Sequence, residues 1–193
     1  MLRRRLLLLL AAAPAGCASP SPTLYVLAPQ PGTSLPGTPQ PGGSQPGAPA
    51  TVELREIGLA RYLERPQIVR SSEGYRLDVL SNEWWGEPLG AMLGRVLVQE
   101  LTQRLPGSTV FAESGAITAN AVATAAVNIQ RLDADATGAV VLIAQVEVTG
   151  HAAATRNMRV TVPPPAPGTA GLVEAMSGAI AQLADTIAAM LRT

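Results

Sequence analysis

Residues 126–148 read AVNIQRLDADATGAVVLIAQVEV, in which two apolar segments flank the polar turn DATG at 135–138. This pattern predicts an antiparallel β-hairpin, and a third strand, RNMRVTV at 156–162, follows after a looser connection. The segment 140–146 is apolar on both faces, which favours a central position in a sheet. We therefore take this meander as the centre of the predicted domain.

Two amphipathic helices are predicted outside the meander. The first follows Pro88, a residue favoured at the start of a helix, and ends at Pro106-Gly107. Its apolar positions share one helical face: Leu89, Met92, Leu93, Val96, Leu97, Leu101 and Leu105. The second lies at the C-terminus, where one face again is apolar: Leu172, Val173, Met176, Ile180, Leu183, Ile187 and Leu191. Each apolar face requires a sheet to pack against.

Four further segments have the composition of short strands. They are TVELREIGLA, in which a break in the alternation suggests a bulge, PQIVR, GYRLDVL and the segment 109–112. Strands and two helices in this order predict an α+β fold: a largely antiparallel sheet with two main helices packed on it. Residues 51–193 have the usual length of a single domain.

The N-terminus has the layout of a secretory signal. Three arginines precede a run of eight apolar residues, 6–13, which is too short to span a bilayer. Small residues then lead to Cys17, the only cysteine, and Ala15-Gly16-Cys17 resembles a lipobox. An unpaired thiol is a liability in an oxidising compartment, and lipidation removes it. We therefore predict that residues 1–16 form a lipoprotein signal peptide and that Cys17 carries the lipid.

Residues 17–50 are rich in proline and glycine and carry almost no charge, so they are predicted to form a semi-extended tether. One β-prone island, TLYVL at 23–27, interrupts this tether. It is either the first strand of the domain or a free patch, and we favour the strand because an exposed β-prone segment invites edge pairing. The main folded domain is predicted to span 51–193.

The charge balance argues against a nucleic-acid-binding role. Three of the 14 basic residues lie in the signal region, so 11 basic and 14 acidic residues remain after its removal, a net charge of −3. This balance leaves no basic footprint for a phosphate backbone.

Groups capable of catalysis are scarce. His151, the only histidine, lies in an alanine-rich segment that favours a solvated side chain. Asp133 and Asp135 flank a turn without a third oxygen ligand nearby, which indicates turn chemistry and no metal site. No nucleophile elbow and no phosphate-binding glycine loop is present. We expect no enzyme activity and no cofactor.

Bulky polar and aromatic side chains concentrate in RYLERPQIV at 61–69 and NEWWGEPL at 82–89. Arg, Tyr and Trp are the residue types that dominate the energetics of protein interfaces. The candidates for binding a partner are therefore Arg61, Tyr62, Arg65, Trp84 and Trp85. The alternative is that the tryptophans close the end of the first helix against the sheet, since large aromatic residues are mostly buried.

These segments are similar to those of the ABC-type transport auxiliary lipoproteins, the PqiC-like family. The resemblance rests on the lipobox-like ending at Cys17, LYVL at 24–27, RYLERPQIV at 61–69, WGEPL at 85–89 and the hairpin at 127–148. It covers essentially all of the chain after the signal region. Gly86 stands where the family tends to have alanine, and the Pro/Gly-rich insert is longer than usual.

The resemblance implies a lipoprotein that faces the periplasm and assists an MCE-domain lipid transporter. Its partners would be the MCE-domain protein, an integral membrane permease and a cytoplasmic ATPase, with a role in phospholipid transport and envelope integrity. Ala18 replaces the aspartate that retains lipoproteins in the inner membrane, so attachment to the inner leaflet of the outer membrane is expected. A homo-oligomer, such as a ring, would match the rings of MCE proteins by analogy.

Three functions compete at this stage. A docking subunit that carries no lipid itself fits the resemblance and the scarcity of catalytic groups, and it is the function we predict. A lipid carrier would need a groove along the C-terminal helix, although the same residues would otherwise form the contact between helix and sheet: Leu172, Met176, Ile180 and Leu183. An envelope enzyme would need a nucleophile and a base that the sequence does not supply.

Overall fold

The computed structural model describes residues 21–31, 47–116, 119–150 and 153–192. The predicted signal peptide, Cys17 and His151 lie outside these ranges. The strands are β1 Thr23–Tyr25, β2 Thr51–Leu54, β3 Gly58–Leu59, β4 Gln67–Ser71, β5 Asp78–Trp85, β6 Thr109–Ala112, β7 Ala123–Ala134, β8 Val140–Thr149 and β9 Ala154–Val162. The helices are α1 Leu89–Arg104 and α2 Gly168–Leu191, and a short 3-10 helix spans Arg61–Leu63.

The meander β7–β8–β9 is antiparallel, as the sequence predicts, and forms the longest part of the sheet. Asp135 fixes the turn between β7 and β8, because its Oδ1 accepts hydrogen bonds from the amide of Thr137 at 2.8 Å and its hydroxyl at 2.6 Å. Gly138 completes the turn with a φ of 86°, which a residue with a Cβ rarely adopts. β8 lies between β7 and β9, and its first three residues, Val140, Val141 and Leu142, are buried. The prediction of a central strand is confirmed.

The sheet is mixed, which corrects the prediction of a largely antiparallel sheet. Along its second edge β7 pairs in parallel with β2, β3 and β4 in turn. β2 also pairs in parallel with β6, and β1 with β5, whereas β4 and β5 form an antiparallel pair. Parallel pairs require long crossovers, and the chain from β2 to its parallel partners β6 and β7 passes through α1. The α+β class is confirmed.

The predicted bulge lies between β2 and β3. Leu54 pairs with Ala125 and Gly58 with Asn128, so four steps of chain on one side face three steps on β7. The amide of Arg55 still donates a hydrogen bond of 2.9 Å to the carbonyl of Ala125, and the extra residue then turns the chain out of the ladder at residues 56–57. This prediction is confirmed, and the displaced segment becomes one wall of the candidate site described below.

Both helices pack on one face of the sheet and on each other. The apolar faces predicted from the sequence are buried in this core. The four residues that would have lined a lipid groove on α2 are 0–6% exposed: Leu172, Met176, Ile180 and Leu183. A lipid groove along α2 is therefore wrong, because the sheet occupies that face. Neither described helix has the length and apolarity needed to cross a membrane.

A buried ion cluster joins the two helices. Glu100 is 0% exposed and Arg104 is 8% exposed, and the two form an ion pair on successive turns of α1. The Nε of Arg104 also contacts Oδ1 of Asp185 on α2 at 2.6 Å. The cluster therefore links α1 to α2 by charge as well as by apolar packing.

The Pro/Gly-rich region is attached to the domain at both described ends. After β1, the amides of Leu27, Ala28 and Gln30 donate hydrogen bonds to Met92 Sδ, Ser177 Oγ and Glu100 Oε1, at 3.0, 3.2 and 2.6 Å. At the other end, a Cβ on Gly47 would lie 2.7 Å from the carbonyl oxygen of Arg192. The predicted tether is thus shorter than expected on the side of Cys17, because the chain enters the sheet at Thr23.

Candidate docking site

The two motifs that carry the family resemblance lie side by side in the structure. RYLERPQIV forms the 3-10 helix and β4, and WGEPL forms the end of β5 and the start of α1. The amide of Trp85 donates a hydrogen bond of 2.7 Å to the carbonyl of Pro66, and Gln67 pairs with Trp84. The motifs therefore build one local structure and present their side chains from adjacent strands.

The five candidate residues divide between structural and exposed positions. Trp85 is 7% exposed and belongs to the hydrophobic core, so its assignment to a partner-binding surface is corrected: it closes the core beside α1. Trp84 is half-buried on the opposite face of β5, and its indole donates a hydrogen bond of 3.1 Å to the carbonyl of Ser81. The Nε of Arg65 donates to the carbonyl of Tyr62 at 3.0 Å, and Arg61 is exposed.

Tyr62 belongs to a polar network at the edge of the core. Its hydroxyl donates a hydrogen bond of 2.8 Å to Oδ2 of Asp133, which is 0% exposed. Arg131 balances this carboxylate at 2.9 Å and also contacts Glu73 at 2.6 Å. Burial lowers the pKa of the Arg131 guanidinium, but the contacts with Glu73 and Asp133 together outweigh burial and raise this pKa. Burial and the hydrogen bond to Asp133 raise the pKa of the Tyr62 hydroxyl far above its usual value. Tyr62 therefore serves the fold, which sequence reasoning did not foresee.

Replacing Tyr62 by phenylalanine should lower the free energy of unfolding by about 1–2 kcal/mol, because Asp133 loses a hydrogen bond. The pH dependence should change as well. Unfolded tyrosine ionises near its ordinary pKa of 10.0, whereas folded Tyr62 stays protonated, so its stabilisation is complete below that pH and is lost as pH rises above it. Urea titrations at pH 7 and pH 10.5 should show a smaller alkaline loss in the variant than in the wild type. An equal loss in both would contradict this role.

A groove of about 860 Å³ opens beside α1, between the helix and the displaced segment that links β2 to β3. Its wall on α1 includes small residues and one valine, with the polar Arg95 and Gln99 beside them: Gly90, Ala91, Gly94 and Val98. Ile57, Leu59, Leu89, Val110 and Phe111 form the apolar floor and far wall. Phe111, the only phenylalanine of the chain, is buried yet lies outside the main core cluster. The groove therefore borders the core, because Ile57 and Leu89 also belong to the core cluster, and Phe111 adds an apolar side chain outside that cluster.

Charged side chains surround this groove. Arg55, Glu56 and Glu64 line it, and Arg95 contacts Glu87 at 2.5 Å on its α1 side. An apolar floor with a charged rim is the composition of a protein-binding surface, in which apolar anchors enter the centre and charges set the orientation.

The sequence contains a signal for this groove on α1, outside the motifs described above. Gly90, Gly94 and Val98 recur every four residues on the face of α1 next to its core stripe. Two glycines within one half-buried stripe of a helix remove side chains where a neighbour or ligand can approach. The opposite wall could not be inferred from the pattern of α1, because it comes from the segment 55–57, β3 and β6, which only the fold brings against this face of the helix.

In the described part of the chain, no three His, Cys, Asp or Glu side chains converge in a way that could hold a metal ion. Asp135 caps its turn, as predicted, and Asp133 is held by Tyr62 and Arg131.

Comparisons with known proteins bear on both the sequence and the fold. The family model of the ABC-type transport auxiliary lipoprotein component matches residues 33–188. No curated protein matches the chain.

Two solved structures share the fold. A crystal structure of an uncharacterised protein superimposes with a TM-score of 0.70 at 18% identity and covers 88% of this chain and 98% of that chain. Protein XCC0632 from Xanthomonas campestris, a DUF330 protein, superimposes with a TM-score of 0.67 at 17% identity, covering 86% of this chain and 92% of its own. At this identity both structures support the fold alone.

Proposed function

Since the chain belongs to the family of ABC-type transport auxiliary lipoproteins, we propose that it is a docking subunit of an MCE-type lipid transporter. Membership of the family indicates a transport-associated, non-enzymatic role and a membrane-anchored location in the cell envelope. The match also confirms the resemblance deduced from the two motifs. The proposal adds the MCE-domain protein as the direct partner, acting with its permease and ATPase in phospholipid transport.

In this proposal Cys17 carries the acyl chains and holds the protein on the periplasmic face of the outer membrane. More than one acyl chain is needed for stable attachment, which a diacylglyceryl group supplies. Only five residues separate Cys17 from Thr23, the first residue of β1. The folded part therefore stays close to the membrane that holds the lipid, and the partner must approach it there.

The observation that supports a docking role is the groove beside α1. Its volume and apolar floor fit a few apolar side chains of a partner segment, and its charged rim provides contacts for orientation. The groove borders the WGEPL motif, since Pro88 and Leu89 belong to its lining. The proposal therefore assigns the groove to the MCE partner.

Replacing Gly94 by tryptophan should reduce capture of the MCE partner about tenfold or more, because an indole would fill a central binding site. A Cβ built on Gly94 meets no atom within 4 Å, so the side chain can extend into the groove without displacing the fold. Stability should not fall, since any residue other than proline improves on glycine in a helix interior, by up to about 1 kcal/mol. Capture is measured by pull-down of the full-length acylated protein from detergent-solubilised envelopes, with mass spectrometry of proteins and lipids.

Gln182→Trp provides the matched control, because Gln182 lies on the exposed side of α2 and does not line the groove. It should capture the partner as the wild type does. Undiminished capture by folded Gly94→Trp would remove the groove from the proposal. A wild-type protein that captures no MCE-domain protein at all would refute the docking function.

The apolar floor also favours a second candidate, a lipid carrier that holds an acyl chain in this groove instead of on α2. The same pull-down separates the two functions. Stoichiometric phospholipid without an MCE partner, lost in Gly94→Trp, would establish the carrier, whereas an MCE partner without such lipid supports docking.

A further inference from the structure

The turn between β4 and β5, residues 72–77 and here called the tip, has an unusual conformation. Gly74 and Tyr75 both have positive φ, of 62° and 63°, and the amide of Arg76 donates a hydrogen bond of 3.2 Å to the carbonyl of Glu73. Among the described residues, Tyr75 is the one non-glycine with positive φ. Asparagine, aspartate or glycine normally occupies such a position, so a tyrosine there costs conformational energy. That cost points to a function for the side chain outside the fold.

Tyr75 is the most exposed large hydrophobic residue among the described ones, with a relative exposure of 111%, and Leu77 is 39% exposed. The acidic groups around them are already paired, since Glu73 contacts Arg131 and Asp78 contacts Arg70. Arg76 is exposed and forms no ion pair within the described ranges. The tip thus presents a phenol, an isobutyl group and one unneutralised guanidinium to its surroundings.

The tip lies at the N-terminal end of β5, which is also the end from which the chain arrives at β1 after Cys17. β1 runs parallel to β5, so the chain approaches Thr23 from the end of β5 at which the tip begins. Ser21 is held beside β5 by a hydrogen bond of 3.4 Å from Asn82. Asn82 is four residues, at most about 13 Å, from Asp78 at the base of the tip. Cys17 is four residues before Ser21, and four residues of chain reach at most about 14 Å.

We propose that the tip inserts Tyr75 and Leu77 into the headgroup region of the membrane that holds the lipid on Cys17. This inference rests on the lipid anchor of the proposed function. Tyrosine has an apolar ring and a polar hydroxyl, which suits the boundary between headgroups and acyl chains, and Arg76 pairs with lipid phosphates. One flexible anchor fixes only the distance of a domain from a bilayer, whereas anchor and tip together fix its orientation.

This orientation directs the groove away from the bilayer. β5 is eight residues long and runs from the tip to Trp85 over at most about 26 Å, since its pairing with β4 contains register shifts. The lining of the groove begins three residues later, at Pro88. A membrane-bound tip would therefore present the groove to the periplasm, where a partner from the opposite membrane approaches.

The test uses the acylated protein reconstituted into vesicles of phosphatidylethanolamine and phosphatidylglycerol. Because lipidation blocks the only native cysteine, Leu77→Cys accepts an environment-sensitive fluorophore at a single site. Spin-labelled lipids with the label at headgroup depth should quench this fluorophore. Gln103→Cys, exposed at the C-terminal end of α1, is the matched control and should not be quenched. Adding Tyr75→Ser and Arg76→Ser to Leu77→Cys should reduce quenching to the level of the Gln103 label.

A vesicle-bound protein whose Leu77 label is quenched no more than the Gln103 label would overturn the proposed contact. Quenching that survives the double serine change would overturn the role of Tyr75 and Arg76. A wild-type protein that takes up fluorophore at Cys17 and does not float with vesicles lacks the anchor. That last result would refute the lipid attachment in the proposed function, together with the contact that rests on it. The first two results would refute only the membrane contact of the tip, so the experiment distinguishes failure of the tip contact from failure of the lipid anchor.

Discussion

Arg104→Ala should lower the free energy of unfolding by about 3–5 kcal/mol, the cost of breaking a buried ion pair by removing one partner. Glu100 is 0% exposed and would keep a negative charge without its cation. The same change removes the contact of 2.6 Å with Asp185, which joins α1 to α2. Urea denaturation of the chain without residues 1–16, followed by far-UV circular dichroism, measures the loss directly.

Arg95→Ala is the matched control, since Arg95 also lies on α1 and pairs with a glutamate, but at the surface. Exposed pairs contribute about 0–1 kcal/mol, so the two alanine variants should differ by several-fold. Replacing both charges, as in Glu100→Leu with Arg104→Met, should recover much of the loss, because no unpaired charge then remains buried. Similar losses in Arg104→Ala and Arg95→Ala would show that the cluster is hydrated and contributes little.

The cluster also connects the segment that follows β1 to the core. Glu100 accepts a hydrogen bond of 2.6 Å from the amide of Gln30, so breaking the pair should loosen the segment that follows β1. Its amides should then exchange hydrogen faster in Arg104→Ala than in Arg95→Ala.

The spacing of Glu100 and Arg104 on one helix face is visible in the sequence, but their burial is not. It depends on α2 and on the segment 26–31, both remote from α1 along the chain.

Features that depend on local sequence pattern could be predicted, whereas features that depend on contacts between distant segments could not. The hairpin at 126–148 and the helix faces follow from local periodicity, and the structure confirms them. The parallel pairs of β7 with β2, β3 and β4 could not be predicted, because no local pattern specifies the register between distant strands. The groove was missed for a related reason, since the segment 55–57, β3 and β6 supply one wall and α1 supplies the other.

The tryptophan pair shows how the candidate site changed once side-chain direction was known. Adjacent residues of a strand point to opposite faces, so Trp84 and Trp85 could not both face the core or both face a partner. The structure buries Trp85 and leaves Trp84 half-exposed beside Leu24, which is 62% exposed. The sequence indicated that both were unusual but not which of them was structural.

Trp85→Ala should accordingly lower the free energy of unfolding by about 3–5 kcal/mol, the range for removing a buried aromatic side chain. Trp84→Ala should cost only about 1 kcal/mol, because its ring is partly solvated already. Urea titrations of the two variants, which remove the same atoms from neighbouring positions, compare the two faces of β5 directly. Equal losses would mean that both rings belong to the core. If only Trp85→Ala unfolds the protein, Trp84 remains on the surface as a candidate for partner contact, and its variant can enter the pull-down beside Gly94→Trp.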